Sequence, residues 1–222
     1  MASRITGSTA IVRVGNPTTD FHIHEQLLCE NSTFFRNVME RERRNAKERV
    51  IRLPDDEVKI FTIYHMWLYF GYIFTRSEDE EKSALSTSST AEWDLLFDSY
   101  IFGEKIQDSN FKDALMDAVI NKMNTIKHFP HSVQQVYQNT PQNSPARRLL
   151  VDVCLYYDNE LFVQMAAGNA EYLQDVALAS MNAKKTERDF TCPVEGSCEY
   201  HEHAEGEENC YKKKDIRERQ AS

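Results

Sequence analysis

Hydrophobic and polar positions alternate with a period of two in two early runs, TAIVRV (Thr9 to Val14) and DFHIH (Asp20 to His24). Such alternation predicts half-buried strands, and Gly15-Asn16-Pro17 between them predicts the turn of a hairpin. From Glu25 to Met39 the period becomes helical, with Leu27, Leu28, Phe34, Phe35 and Val38 on one face. Asn31-Ser32 interrupts that face, and Ser32 is a good helix cap, so two short helices are expected rather than one long one. Val50 to Leu53 reads as a third strand. After Pro54-Asp55-Asp56 a helix carries Val58, Ile60, Phe61, Ile63, Tyr64, Trp67, Leu68 and Phe70 around nearly its whole circumference. Apolar residues on every side predict a central helix packed from several directions, capped by Asp55 or Asp56 and left at Gly71. The run is too short for the ~20 apolar residues of a membrane span and contains Lys59 and His65, so no membrane association is expected.

The second half is patterned as helices. TRSEDEEKSALSTSSTAE, Thr75 to Glu92, has no periodicity and reads as a surface loop. Trp93, Leu96, Phe97, Tyr100 and Ile101 follow at amphipathic spacing behind a Ser89/Glu92 capping box, and Phe111, Leu115, Val119 and Ile126 mark the next helix. Gly103 and Asp108-Ser109-Asn110 predict the turn between the two. Beyond Pro130, Ser132 with Gln135 predicts another capping box. Ser144-Pro145 opens a helix whose apolar face is Leu149, Leu150, Val153 and Tyr156, and Leu173, Val176 and Ala177 mark a last one. The organisation expected is therefore a disordered N-terminus over 1–8, an α+β domain over 9–128, an all-α extension over 129–187 and a charged tail over 188–222.

Composition narrows the function classes. Apolar residues make up 41% of the 222-residue chain, enough for a substantial core, and the net charge is −9. That acidity argues against direct nucleic-acid binding, which needs concentrated Lys and Arg to neutralise phosphates. The runs Arg41–Arg49 and Lys212–Arg219 are the basic exceptions; interspersed glutamates mark the first as a solvated loop, with nuclear import as the alternative. Five cysteines, without an apolar leader in MASRITGSTA, predict reduced thiols and a cytoplasmic or nuclear location.

Candidate chemistry is concentrated in the tail. Cys198, His201, His203 and Cys210 are ligand types that tetrahedral Zn²⁺ accepts, with Cys192 as an alternative ligand. Zinc, redox-active or unpaired thiols, and a disordered tail without metal are the three readings this spacing allows. Cys29 and Cys154 sit among apolar helical residues and are expected to be inert core thiols. Asp20, His22 and His24 carry catalytic residue types, but no positioned nucleophile or oxyanion donor accompanies them, and no enzyme is expected.

Several segments, in their order, resemble the BTB/POZ family. DFHIHEQLLCENSTFFRNVM is similar to its strand-histidine-Leu-Leu segment, with His24, Leu27, Leu28, Ser32 and Phe35 at matching positions. VIRLPDDEVKIFTIYHMWLYFGYI is similar to its third strand and third helix in the form common among fungal members, and SYIFGEKIQDSNFKDALMDAVI to its last helix pair. The tail's CEYHEH run with a following cysteine looks like a recurrent ending of such fungal proteins. The resemblance implies a short three-stranded sheet with about five helices, no catalytic residues, and protein partners: a homodimer or hetero-oligomer, a cullin scaffold of a ubiquitin ligase, or a transcriptional assembly. The charged dimer pocket of many members is altered here, with Thr9 and Glu25 at the corresponding positions, and no long helix precedes the first strand. By analogy of fold, the partner surface is expected on Phe34, Phe35 and Val38 and on Trp93, Phe97 and Tyr100.

Overall fold

The computed structural model describes residues 7–44, 50–75, 88–126, 132–157, 168–186, 193 and 197–213. The expectations placed on 1–6, 45–49, 76–87, Pro130, Cys192 and 214–222 lie outside those residues. The described chain is α+β: a small mixed sheet and, among the described residues, eight α-helices with one 3-10 turn. No described helix is long and apolar enough to cross a membrane.

Strands β1 (Thr9–Val14) and β2 (Thr19–His24) form the expected antiparallel hairpin, in register from Thr9 opposite His24 to Val14 opposite Thr19. Strand β3 (Val50–Leu53) joins β1 in parallel, giving the order β2-β1-β3. The period of two has its physical outcome here: Ala10, Val12, Val14, Ile23, Ile51 and Leu53 are all buried beneath the helices. Gly15 takes φ 78° at the hairpin turn, and its N–H donates to the Leu53 carbonyl at 3.0 Å, tying the turn to β3.

Helix α1 (Glu25–Asn31) breaks at Ser32 and α2 (Thr33–Arg44) begins. The Ser32 hydroxyl accepts from the Phe35 N–H at 3.1 Å and donates to the Ile106 carbonyl at 2.5 Å, so the expected cap also pins the helix pair to a distant element. Helix α2 runs to Arg44, which places the first residues of the supposed basic loop on a helix. Glu25 is buried in the first turn of α1, where the helix dipole favours an acid.

Helix α3 (Val58–Phe70) is central, as expected, with Ile60, Phe61, Ile63, Tyr64, Trp67 and Leu68 buried and Gly71 closing it at φ 71°. Its N-cap is Glu57, without a side-chain cap. The Asp56 carboxylate, expected as a cap, instead accepts from Lys105 at 2.6 and 2.7 Å, because the cation across the helix interface competes for it.

Helices α4 (Ser88–Ile106) and α5 (Ser109–Ile126) pack against each other and against α3. Tyr64 lies 5.0 Å from Phe111 and 5.7 Å from Phe102, ring centre to ring centre. Two sequence expectations are corrected. Helix α4 starts at Ser88, inside the stretch read as loop, and it passes through Gly103 instead of turning there. A Cβ on Gly103 would stand 2.7 Å from Lys112 Cγ, so the glycine allows close approach of α5 and is not a hinge. The turn comes at Gln107-Asp108, where Asp108 caps α5 by accepting the Phe111 N–H at 2.9 Å.

Helices α6 (Val133–Asn139), α7 (Pro145–Tyr157) and α8 (Ala170–Thr186) form the helical extension. Their buried residues, Val133, Val136, Leu149, Leu150, Val153 and Tyr172, belong to one apolar core with the sheet and α3. Ser132 makes no cap; its hydroxyl donates to Asp94 at 3.1 Å, and the Gln135 amide donates to Asp98, so the supposed capping box ties α6 to α4. Tyr156 and Ala177 face outward, while the unanticipated Tyr172 is fully buried.

Candidate metal centre

Residues 197–213 hold four ligand-bearing side chains, two cysteines and two histidines. A turn closed by the His201 N–H on the Cys198 carbonyl (3.2 Å) puts Cys198 and His201 on one side of the chain. Gly206, at φ 103°, reverses the chain into the 3-10 turn Glu207–Asn209, which returns Cys210 to the same point. The ligand atoms of Cys198, His201, His203 and Cys210 all lie within 4.8 Å of one another, with His201 and Cys210 buried. A tetrahedral ion with Zn–S of about 2.3 Å and Zn–N of about 2.0 Å would set these separations at roughly 3.3 to 3.8 Å. The Cys210 Sγ to His201 Nδ1 distance, 3.7 Å, already has that value.

The imidazole tautomers follow from the surroundings. His203 Nδ1 lies 2.8 Å from the Ala204 carbonyl, which can only accept, so Nδ1 carries the hydrogen and buried Nε2, which has no hydrogen-bond partner, keeps its lone pair. His201 places Nε2 3.3 Å from Asp117 Oδ2 and turns Nδ1 to Cys210. A histidine held from behind by a carboxylate is the outer-shell arrangement that orients metal ligands.

Asp117 gathers three side chains of the C-terminal segment: His201, Tyr211 (2.6 Å) and Lys212 (2.7 Å). Burial alone would raise its carboxyl, but these partners outweigh it and hold it below the ordinary aspartate value. Burial, reinforced by the neighbouring Cys210 thiol, pushes Cys198 up to about 11. A neutral Cys198 thiol is a poor ligand alone, and a divalent cation beside it is the influence that would strip its proton. The set can hold a metal ion, and four protein donors would make such a site closed, as structural ones are.

The expected ligands are thus brought together. The expected partner surface is not. Phe35, Trp93, Phe97 and Tyr100 are fully buried, and Phe34 and Val38 pack half-buried on the core. Trp93 lies under the Lys122 ammonium (5.1 Å), and the Tyr100 and Ser144 hydroxyls are hydrogen-bonded at 3.1 Å. An amphipathic face says only that something covers it, and here α3, α5 and α6 do. Of the cysteines read as core thiols, Cys154 is buried and Cys29 half-buried. Asp20 pairs with Arg13 (2.7 Å) and His24 Nδ1 meets the Tyr69 hydroxyl (2.9 Å), both ordinary structural contacts.

Sequence reasoning missed Asp113, Asp117 and Tyr211. The i, i+4 spacing of Asp113 and Asp117 puts both carboxylates on one helical face, which was a legible signal, but nothing in it pointed to a tail ninety residues away. It also missed the exposed aromatic trio Phe70, Tyr72 and Phe74. Compared with models of known protein families and with the sequences of curated proteins, the chain finds no match in either.

Proposed function

We propose that this chain is a non-enzymatic protein–protein interaction module of the BTB/POZ type, acting by homo- or hetero-oligomerisation in the cytoplasm or nucleus, with zinc as the ion of its C-terminal cluster. The ordered motifs of residues 9–128 support the family reading, and the α+β architecture with its three-stranded sheet is compatible with it. Zinc is favoured by the donor set, since two thiolates and two imidazoles suit it better than the oxygen-seeking cations.

The observation that carries the interaction reading is an exposed apolar patch where α3 ends. Phe70, Tyr72 and Phe74 are 50%, 59% and 47% exposed. The Phe74 ring meets the other two edge to face, 6.3 Å from both Phe70 and Tyr72. Large aromatics are the residues that anchor interfaces, and three clustered around Phe74 on a surface are costly to leave in water.

Sedimentation velocity of the full chain from about 1 to about 100 µM would test this, as that range brackets a micromolar association. A mass that rises with concentration in the wild type and stays monomeric in F70S/Y72S/F74S supports the reading. In parallel, calorimetric titration with the N-terminal region of a BTB-binding cullin tests the adaptor role, for which binding of roughly −8 kcal/mol or tighter is expected. A chain that is monomeric throughout and gives no heat with the cullin would overturn the proposal.

A further inference from the structure

Residues 197–213 have little secondary structure of their own, yet they are docked on two parts of the molecule at once. On the side of α5, the Glu202 N–H donates to Asp113 (2.8 Å), the Glu202 carboxylate pairs with Lys112, and Tyr211 and Lys212 meet Asp117. On the side of α7, the Tyr200 hydroxyl donates to Asp152 (2.9 Å) and Arg148 donates to the Glu199 carbonyl (3.0 Å). The ligands are interleaved with these contacts. Cys198, His201 and His203 flank Tyr200 and Glu202, and Cys210 adjoins Tyr211.

We propose that the metal ion is a clamp: by joining Cys198, His201 and His203 to Cys210 it closes the C-terminal segment into a loop and locks that loop across α5 and α7, with Asp117 as the positioning residue. This inference rests on the reading of the cluster as a zinc site. Asp117 suits the role because it is shared between the two ends of the loop. It faces the ligand His201 from one end and holds Tyr211 and Lys212 at the other. The ion supplies cross-links between segments that the short backbone turns cannot hold, as structural zinc does in small folds. The clamped loop also builds surface: Tyr211 and Lys212 line a cleft of about 540 Å³ together with Tyr72 and Glu92.

The test uses the full chain purified without a histidine tag. Elemental analysis should find about one zinc per chain, lost in C198S and in H203A. Trypsin cleavage after Lys212 and Lys213, followed by mass spectrometry, should accelerate ~10-fold or more on adding a zinc chelator, because cleavage follows the population of the opened segment, while cuts elsewhere keep their rates. D117N should still bind zinc, but 10- to 100-fold more weakly in competition with a chromogenic chelator, and should alter the visible spectrum of the cobalt-substituted protein. Unchanged far-ultraviolet circular dichroism shows that each variant folds. Zinc near zero in folded wild type removes the metal reading itself. Stoichiometric zinc with cleavage indifferent to the chelator removes the clamp and leaves the metal. D117N with wild-type affinity and spectrum takes Asp117 out of the mechanism.

Discussion

Asp108 answers to several groups at once: it accepts the Phe111 N–H at the start of α5, accepts the Tyr64 hydroxyl at 3.1 Å, and is fully buried. Burial pushes its carboxyl up to about 7, with Asp113 adding to the rise and the Phe111 N–H, Tyr64 and Lys112 opposing it. Between about pH 4 and 7 the unfolded chain has lost this proton while the folded protein keeps it. Folding therefore takes up a proton, and stability falls as pH rises through that window. Asp98, raised to about 6 by burial and by Glu57 and Asp94, acts in the same sense. D108N keeps the cap acceptor and removes the titration. Denaturant melts at pH 5 and pH 8 should show the variant gaining on wild type with rising pH, by on the order of 2–4 kcal/mol across the window; a parallel pH dependence in both proteins would refute this. Phe35 makes the second prediction. It is fully buried, 5.2 Å from the Phe34 ring and 6.1 Å from Tyr64, so F35A should cost ~3–5 kcal/mol in urea denaturation. An equally stable F35A that loses its partner would return the residue to the surface role first expected for it.

Arg147 shows how an element is ended from outside itself. Its guanidinium donates to the carbonyls of Tyr137 (2.6 Å) and Thr140 (2.5 Å) at the end of α6 and to the Thr140 hydroxyl (3.1 Å). It also pairs with Glu171 of α8 (2.6 Å) and stacks on Tyr137 at 4.4 Å. One buried side chain of α7 thus closes the C-terminus of α6 and fastens α8. Lysine keeps the charge but offers a point donor in place of a planar fork. R147K should accordingly destabilise the protein by about 2–3 kcal/mol in thermal or chemical melts, with carbonyls left unsatisfied; a loss below about 0.5 kcal/mol would show that water replaces the fork. The same elements show what was legible. Strand and helix positions followed from periods of two and of 3.6, and Ser32 and Gly71 did as caps and exits should. Asp56 and Ser132 did not, because a cap is a local offer that a better partner across an interface can outbid: Lys105 for one, Asp94 for the other.

The core runs without a break from Ala10 on the sheet to Tyr200 in the C-terminal segment. Boundaries drawn from composition mark changes in sequence character, whereas packing continues across them. Truncation after residue 193 removes Tyr200 from that core and leaves Asp113, Asp117, Asp152 and Lys112 without partners they now hold. A loss of a few kcal/mol would lower the melting temperature by about 5–10 °C for a chain of this size. An unchanged melting temperature would mean that the segment only decorates the fold.

By itself the sequence determined the α+β class, the order of the elements, the centrality of α3 and the four Cys and His side chains that cluster, because these depend on local periodicity and on side-chain chemistry carried by each residue. Tertiary structure alone decided which apolar faces are interior. It turned Phe35, Trp93, Phe97 and Tyr100 inward and left Phe70, Tyr72 and Phe74 in water. It also brought Asp117 behind His201. Periodicity records that a face is apolar, but only the packing of residues distant in the chain determines whether that face meets the core, a partner or solvent.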